Sequence, residues 1–123
     1  MIAGPLVAAL DAAVDVPVYE TPSNQPAVPS VIVTPSSQWA DRSDTAYCAY
    51  RWTYEVHLLA HRADVDGAAE ALEALLLKVL PVAPAGWTPV RVQGPTVRDV
   101  GGVDVIATTV TYDAQLQLPN ANP

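Results

Sequence analysis

The stretch Tyr47-Cys-Ala-Tyr-Arg-Trp-Thr-Tyr-Glu-Val-His-Leu-Leu-Ala60 alternates with a period of two. Cys48, Tyr50, Trp52, Tyr54, Val56, Leu58 and Ala60 are apolar or aromatic, and Arg51, Thr53, Glu55 and His57 fall between them. Successive side chains of a strand point to opposite faces, so this pattern predicts one long strand with one buried face. At about 3.3 Å per residue it reaches some 45 Å, enough for one end to project as a hairpin arm. Tyr47 and Leu59 also lie on the polar face, which favours a partner there.

Downstream, Val103–Leu118 repeats the pattern, with Ile106, Val110, Tyr112, Leu116 and Leu118 on one face and Thr109, Thr111, Asp113, Gln115 and Gln117 on the other. Between the two, Asp64 is placed to cap a helix running to about Leu80, which Pro81 stops. Asp66 in its first turn and Lys78 in its last suit the helix dipole. Ala68, Leu72, Leu75, Leu76 and Val79 make its core stripe, and Glu70 and Glu73 lie away from it. Trp87–Val92 reads as a strand, and Gly94–Gly102 as a mobile connection with a turn at Gly101-Gly102.

Upstream, Pro5–Val14 reads as a short helix with proline in its first turn. Val16–Tyr19 is a short extended piece whose proline suggests an edge strand or a strand start, and Thr21–Pro29 is a proline-rich connection. Ser30–Thr34 is a strand ended by Pro35, and Ser36–Ala46 is a polar loop carrying Trp39. The order predicts an α+β fold: a mainly antiparallel sheet with long strands, flanked on one face by an N-terminal helix and one central helix. One domain over 1–123 is expected, with 118–123 as a frayed tail.

Half the residues are apolar and the formal charge is −7, with a pI near 4.4. Six basic residues make a poor phosphate-gripping face, which argues against nucleic-acid wrapping and anionic membranes. Cys48 is the single cysteine, so neither an intramolecular disulfide nor a cysteine-rich zinc site is available. Met1–Leu10 has no basic residue ahead of its apolar stretch, and Ala68–Val82 is broken by charges and Pro81. The expectation is a soluble, intracellularly folded domain without a secretory signal or membrane span.

No residue set assembles into catalytic machinery. His57 and His61 are four apart in an extended segment, which is not the spacing of a metal pair on a helix, so they read as surface histidines. Asp64 and Asp66 read as helix-start residues, and Cys48 as a buried, inert thiol. No catalytic, cofactor or metal residues are expected, and no enzyme activity. Trp39 either tucks onto its own core or anchors a partner. The polar strand faces are either solvated or covered by a neighbouring sheet.

The pattern of elements resembles the tail terminator proteins of long-tailed, siphophage-type bacteriophages of actinobacteria. The matching stretches are Pro29-Ser-Val-Ile-Val-Thr-Pro35, Trp39, Tyr50-Arg-Trp-Thr-Tyr-Glu-Val56, the helix Ala68–Leu80, Gly86-Trp87 and Gly101-Gly-Val-Asp-Val-Ile-Ala107. They span nearly the whole chain, and 20 alanines, 18 valines and one lysine fit a high-GC genome.

The resemblance implies a structural virion protein, assembled in the host cytoplasm and placed at the head–tail interface. Such proteins form a homohexameric ring that caps the tail tube, stops its polymerisation and joins it to the neck. The implied partners are further copies of itself, the major tail tube protein and head-closure proteins, with DNA passing through the lumen without specific binding. The interface candidates are Trp39 and Arg42 in the loop and Arg51, Thr53, Glu55 and His57 on the polar strand face. Acidic copies around a DNA conduit would discourage the duplex from sticking. The rivals are another neck component (a head-closure or head–tail joining protein), a small ligand-binding α+β module, and a hydrolase using His57 or His61 with an aspartate.

Overall fold

A computed structural model describes residues 3–20, 29–42, 49–61, 65–82, 84, 86–100 and 103–117. Its elements are α1 (Gly4–Ala13), β1 (Val18–Tyr19), β2 (Ser30–Arg42), β3 (Ala49–His61), α2 (Val65–Val79), β4 (Trp87–Val100) and β5 (Val103–Gln117). All five strands join one sheet in the order β1-β2-β3-β5-β4, antiparallel except for the two-residue β1 beside β2. This is the expected α+β fold. The expectations for Thr21–Val28, Ser43–Cys48, Asp64, Gly101-Gly102 and Leu118–Pro123 lie outside the described residues.

The period-two strand forms the centre of the sheet. β3 pairs with β5 over its full length, from Ala49↔Gln117 to His61↔Val105. Paired residues share a face, so the even residues of β3 and β5 stack into one apolar layer. Tyr54, Val56, Leu58, Ala60, Ile106, Val110, Tyr112 and Ala114 are buried there, with Val31 and Val33 from β2. Leu6, Val7 and Leu10 of α1 and Ala68, Leu72, Leu75 and Val79 of α2 cover this layer. Both helices therefore pack on the same face.

The C-terminal end of α2 is tied to the sheet. The buried Tyr112 hydroxyl donates to the Val79 carbonyl at 3.0 Å, and the Val82 N–H donates to the same oxygen at 3.0 Å. Lys78 reaches Asp15 at 3.6 Å in an exposed pair that adds little. The chain then turns at Gly86, whose φ of 90° suits glycine, and enters β4 at the buried Trp87.

Two connections expected from the sequence are strands. Ser36–Arg42 continues β2 past Pro35, re-pairing at Ala40↔Trp52 after an irregularity between Pro35 and Ala40. Gly94–Val100 continues β4, with irregularities at Pro89/Arg91 and Gln93/Thr96. One physical reason covers both. β4 is an edge strand, and β2 has an open outer edge beyond its two pairs with β1. A proline there removes no ladder hydrogen bond that the sheet needs, and bulges absorb the misfit.

The opposite sheet face is also not uniformly polar. Ile32, Leu59, Val105 and Ala107 form a second small cluster, with Tyr19 packed against it. Leu59 is thus buried within its own chain, so it needs no outside partner. Ser30 lies at the start of β2 with its hydroxyl buried and, among the described residues, unbonded.

Candidate functional site

The helices leave the odd face of β3 and β5 uncovered beyond that second cluster. Register places Thr53 beside Asp113, Glu55 beside Thr111 and His57 beside Thr109, with Arg91 and Gln93 of β4 flanking them. These side chains, with Ser36, Arg51 and Val90, line a shallow groove of about 450 Å³. Thr53 donates to an Asp113 carboxylate oxygen at 2.9 Å. Arg51 and Arg91 are exposed on this face, whereas Glu55 and Asp113 are half-buried. The outermost charges of the groove are therefore cationic, in a chain of formal charge −7.

His57 marks the inner end of this face, and it is not the surface histidine expected from sequence. Arg98 Nη1 donates to its Nδ1 at 3.1 Å, and Arg98 Nη2 donates to Thr109 Oγ1 at 3.1 Å. Thr109 Oγ1 also lies 3.0 Å from Nδ1, and Thr34 Oγ1 lies 3.0 Å from Nε2. A guanidinium only donates, so Nδ1 must accept and the ring proton sits on Nε2, facing Thr34. Burial, then the Arg98 charge, holds the His57 pKa below its ordinary value against a smaller upward pull from Glu55. In a hydrolytic dyad or triad, a carboxylate behind the histidine stabilises the imidazolium. Here a cation stands in that place, so the ring is a poor proton acceptor. This arrangement locks β2, β3, β5 and β4 together instead.

His61 is four residues further along the same strand, about 13 Å away, too far for both to hold one metal ion. Its side chain and that of Arg42 lie outside the described positions. Among the described residues no group of three or more potential metal-ligating side chains occurs. No described helix is long and apolar enough to cross a membrane.

Trp39 satisfies both sequence readings in part. Its ring meets Trp52 edge-on at 5.7 Å and Tyr54 at 6.3 Å, yet 48% of the residue stays exposed. Tyr54 continues the row to Trp87 at 5.6 Å. These rings extend the core along the sheet and end at an exposed indole. The structure thus brings Arg51, Thr53, Glu55 and His57 onto one face and puts Trp39 on the other, among the core-side aromatics.

Arg91 and Arg98 were not singled out by sequence. Both lie on β4, in or next to the stretch that reads as a connection, and no local pattern places them beside β3. A second, mainly apolar groove of about 230 Å³ lies between α2 and β4, lined by Ala69, Leu72, Leu76, Val92 and Pro95 among others. That is smaller than the usual pocket for a small-molecule ligand.

No protein-family model matches this chain, and no curated protein does either. One solved structure, whose name carries no functional word, covers 96% of this chain with 93% of its own length at 20% identity and a TM-score of 0.46. What the fold and the groove define is a class, a two-layer α+β domain in which, among the described residues, no helix covers the second sheet face.

Proposed function

We propose that this chain is a ring-forming structural protein of a siphophage-type virion, a tail terminator. It caps the tail tube, stops its growth and presents a surface to the neck. The single observation that supports this best is the open sheet. Strands of 13 to 15 residues carry helices on one face only. β4 stays open at the edge over 14 residues, with Val90, Val92 and Val97 exposed. Pro89, Pro95 and two bulges blunt this edge against strand addition, so what supports a neighbour here is the exposed valines beside the polar sheet face. In an assembly a neighbour covers them.

The mechanism is steric and thermodynamic. The ring occupies the growing end and takes over the interface of the next tube ring. Modest contacts between copies gain strength from being repeated around the ring. Copies of a −7 chain around the lumen keep DNA passing without adhering. Arg98 behind His57 supports the non-enzymatic reading.

The test is to add the protein to tubes polymerised from the tail tube protein of the same genome and image the ends by negative stain. A cap at one tube end and arrested elongation are expected. Binding to portal complexes instead of tubes would transfer the reading to a head-closure or head–tail joining protein. A monomer that ignores both would leave a ligand-binding module.

A further inference from the structure

We propose that the polar groove of one copy receives the outer stripe of α2 from a second copy, joining copies head to tail. This deepens the ring-forming reading and rests on it. Glu70, Glu73, Ala74 and Leu77 follow the i, i+3, i+4, i+7 spacing of one helix stripe, and all four are exposed. Leu77 is 73% exposed, unusual for a leucine on a helix whose other face supplies Leu72, Leu75 and Val79 to the core. The stripe is acidic with an apolar end.

The groove has the complementary character. Arg51 and Arg91 are exposed in it beside the half-buried Glu55 and Asp113, and Asp113 already accepts from Thr53. Val90, 52% exposed, lies beside Arg91 on the groove wall. Docking the stripe brings Glu73 to the Arg91 guanidinium and Leu77 to Val90. Elsewhere two copies of an acidic chain repel each other, so this arginine-bearing face is where a second copy is best tolerated.

Position decides the symmetry. α2 covers the even face of the sheet and the groove lies on the odd face, so the two surfaces are on opposite sides of the domain. A copy cannot satisfy its own groove with its own helix. The contact is heterologous, and such contacts make rings when the rotation closes.

Charge reversal tests this directly. Arg91→Glu and Glu73→Arg alter exposed side chains, and circular dichroism should show both variants folded. Sedimentation velocity and native mass spectrometry, with and without tail tubes, then follow self-association. Each variant alone should associate at least tenfold more weakly than wild type, because like charges meet at the contact. An equimolar mixture of the two should regain wild-type assembly, since each variant's groove then meets a helix of opposite charge. Wild-type-like assembly of both single variants, or no recovery in the mixture, overturns this contact while leaving the ring reading intact. A wild-type chain that stays monomeric at every concentration and on tubes overturns both.

Discussion

Tyr112→Phe removes one oxygen from the centre of the fold, and its effect can be worked out from two hydrogen bonds. The Tyr112 hydroxyl is buried and donates to the Val79 carbonyl at 3.0 Å. A neutral hydrogen bond of this kind contributes about 1 kcal/mol net. Orphaning a buried carbonyl would add a further penalty of roughly 1–3 kcal/mol, but Val79 O keeps the Val82 N–H at 3.0 Å. The expected loss is therefore about 1 kcal/mol, a fall in Tm of about 4 °C for a domain of this size.

The phenol supplies a second readout. Burial pushes the Tyr112 pKa up to about 12. A raised pKa means the unfolded chain releases this proton first. Its stabilisation is complete below about pH 10 and fades as pH rises towards the folded value. Phenylalanine has no such proton, so the variant's deficit should shrink between pH 10 and pH 12. Urea melts at neutral pH and across the alkaline range measure both effects. A neutral-pH loss above about 3 kcal/mol would refute the claim that Val82 keeps the carbonyl satisfied. An alkaline profile parallel to wild type would refute the buried phenol.

The folded pKa of His57 is lowered, so its unfolded form takes up a proton first as pH falls. Wild type should lose stability as pH drops from about 6.5 towards that lowered value, and His57→Gln should flatten this region of a denaturation profile taken against pH. Ser30→Ala removes a buried, unbonded hydroxyl and should leave stability unchanged or raise it by up to about 1 kcal/mol in urea melts. Leu72, 3% exposed between α2 and the sheet, should cost about 2–4 kcal/mol when cut to alanine, read as a lower urea midpoint with unchanged slope.

Periodicity made the centre of the fold legible. β3 and α2 each carry a clean period, two and 3.6, and nothing competes with it locally. The sheet margins were not legible, because Pro35, Pro89, Gly94 and Pro95 are the signals that normally end a strand. Whether they do depends on whether the strand has a neighbour on that side, and only the topology settles this. The polar face shows the same division. Arg51, Thr53, Glu55 and His57 share a face by parity alone. The Arg98–His57–Thr109 contacts join residues 41 and 52 positions apart in the chain and exist only once the strands have registered. Leu59 looked like an exposed apolar residue on that face because its cover, Ile32, Val105 and Ala107, comes from two other strands.

In the proposed role, copies of this chain close into a ring on a tail tube. Native mass spectrometry of the protein alone and after mixing with polymerised tail tubes tests it most directly. A closed assembly of six copies is expected, either free in solution or appearing when the tube is present. A compact monomer under both conditions would contradict it.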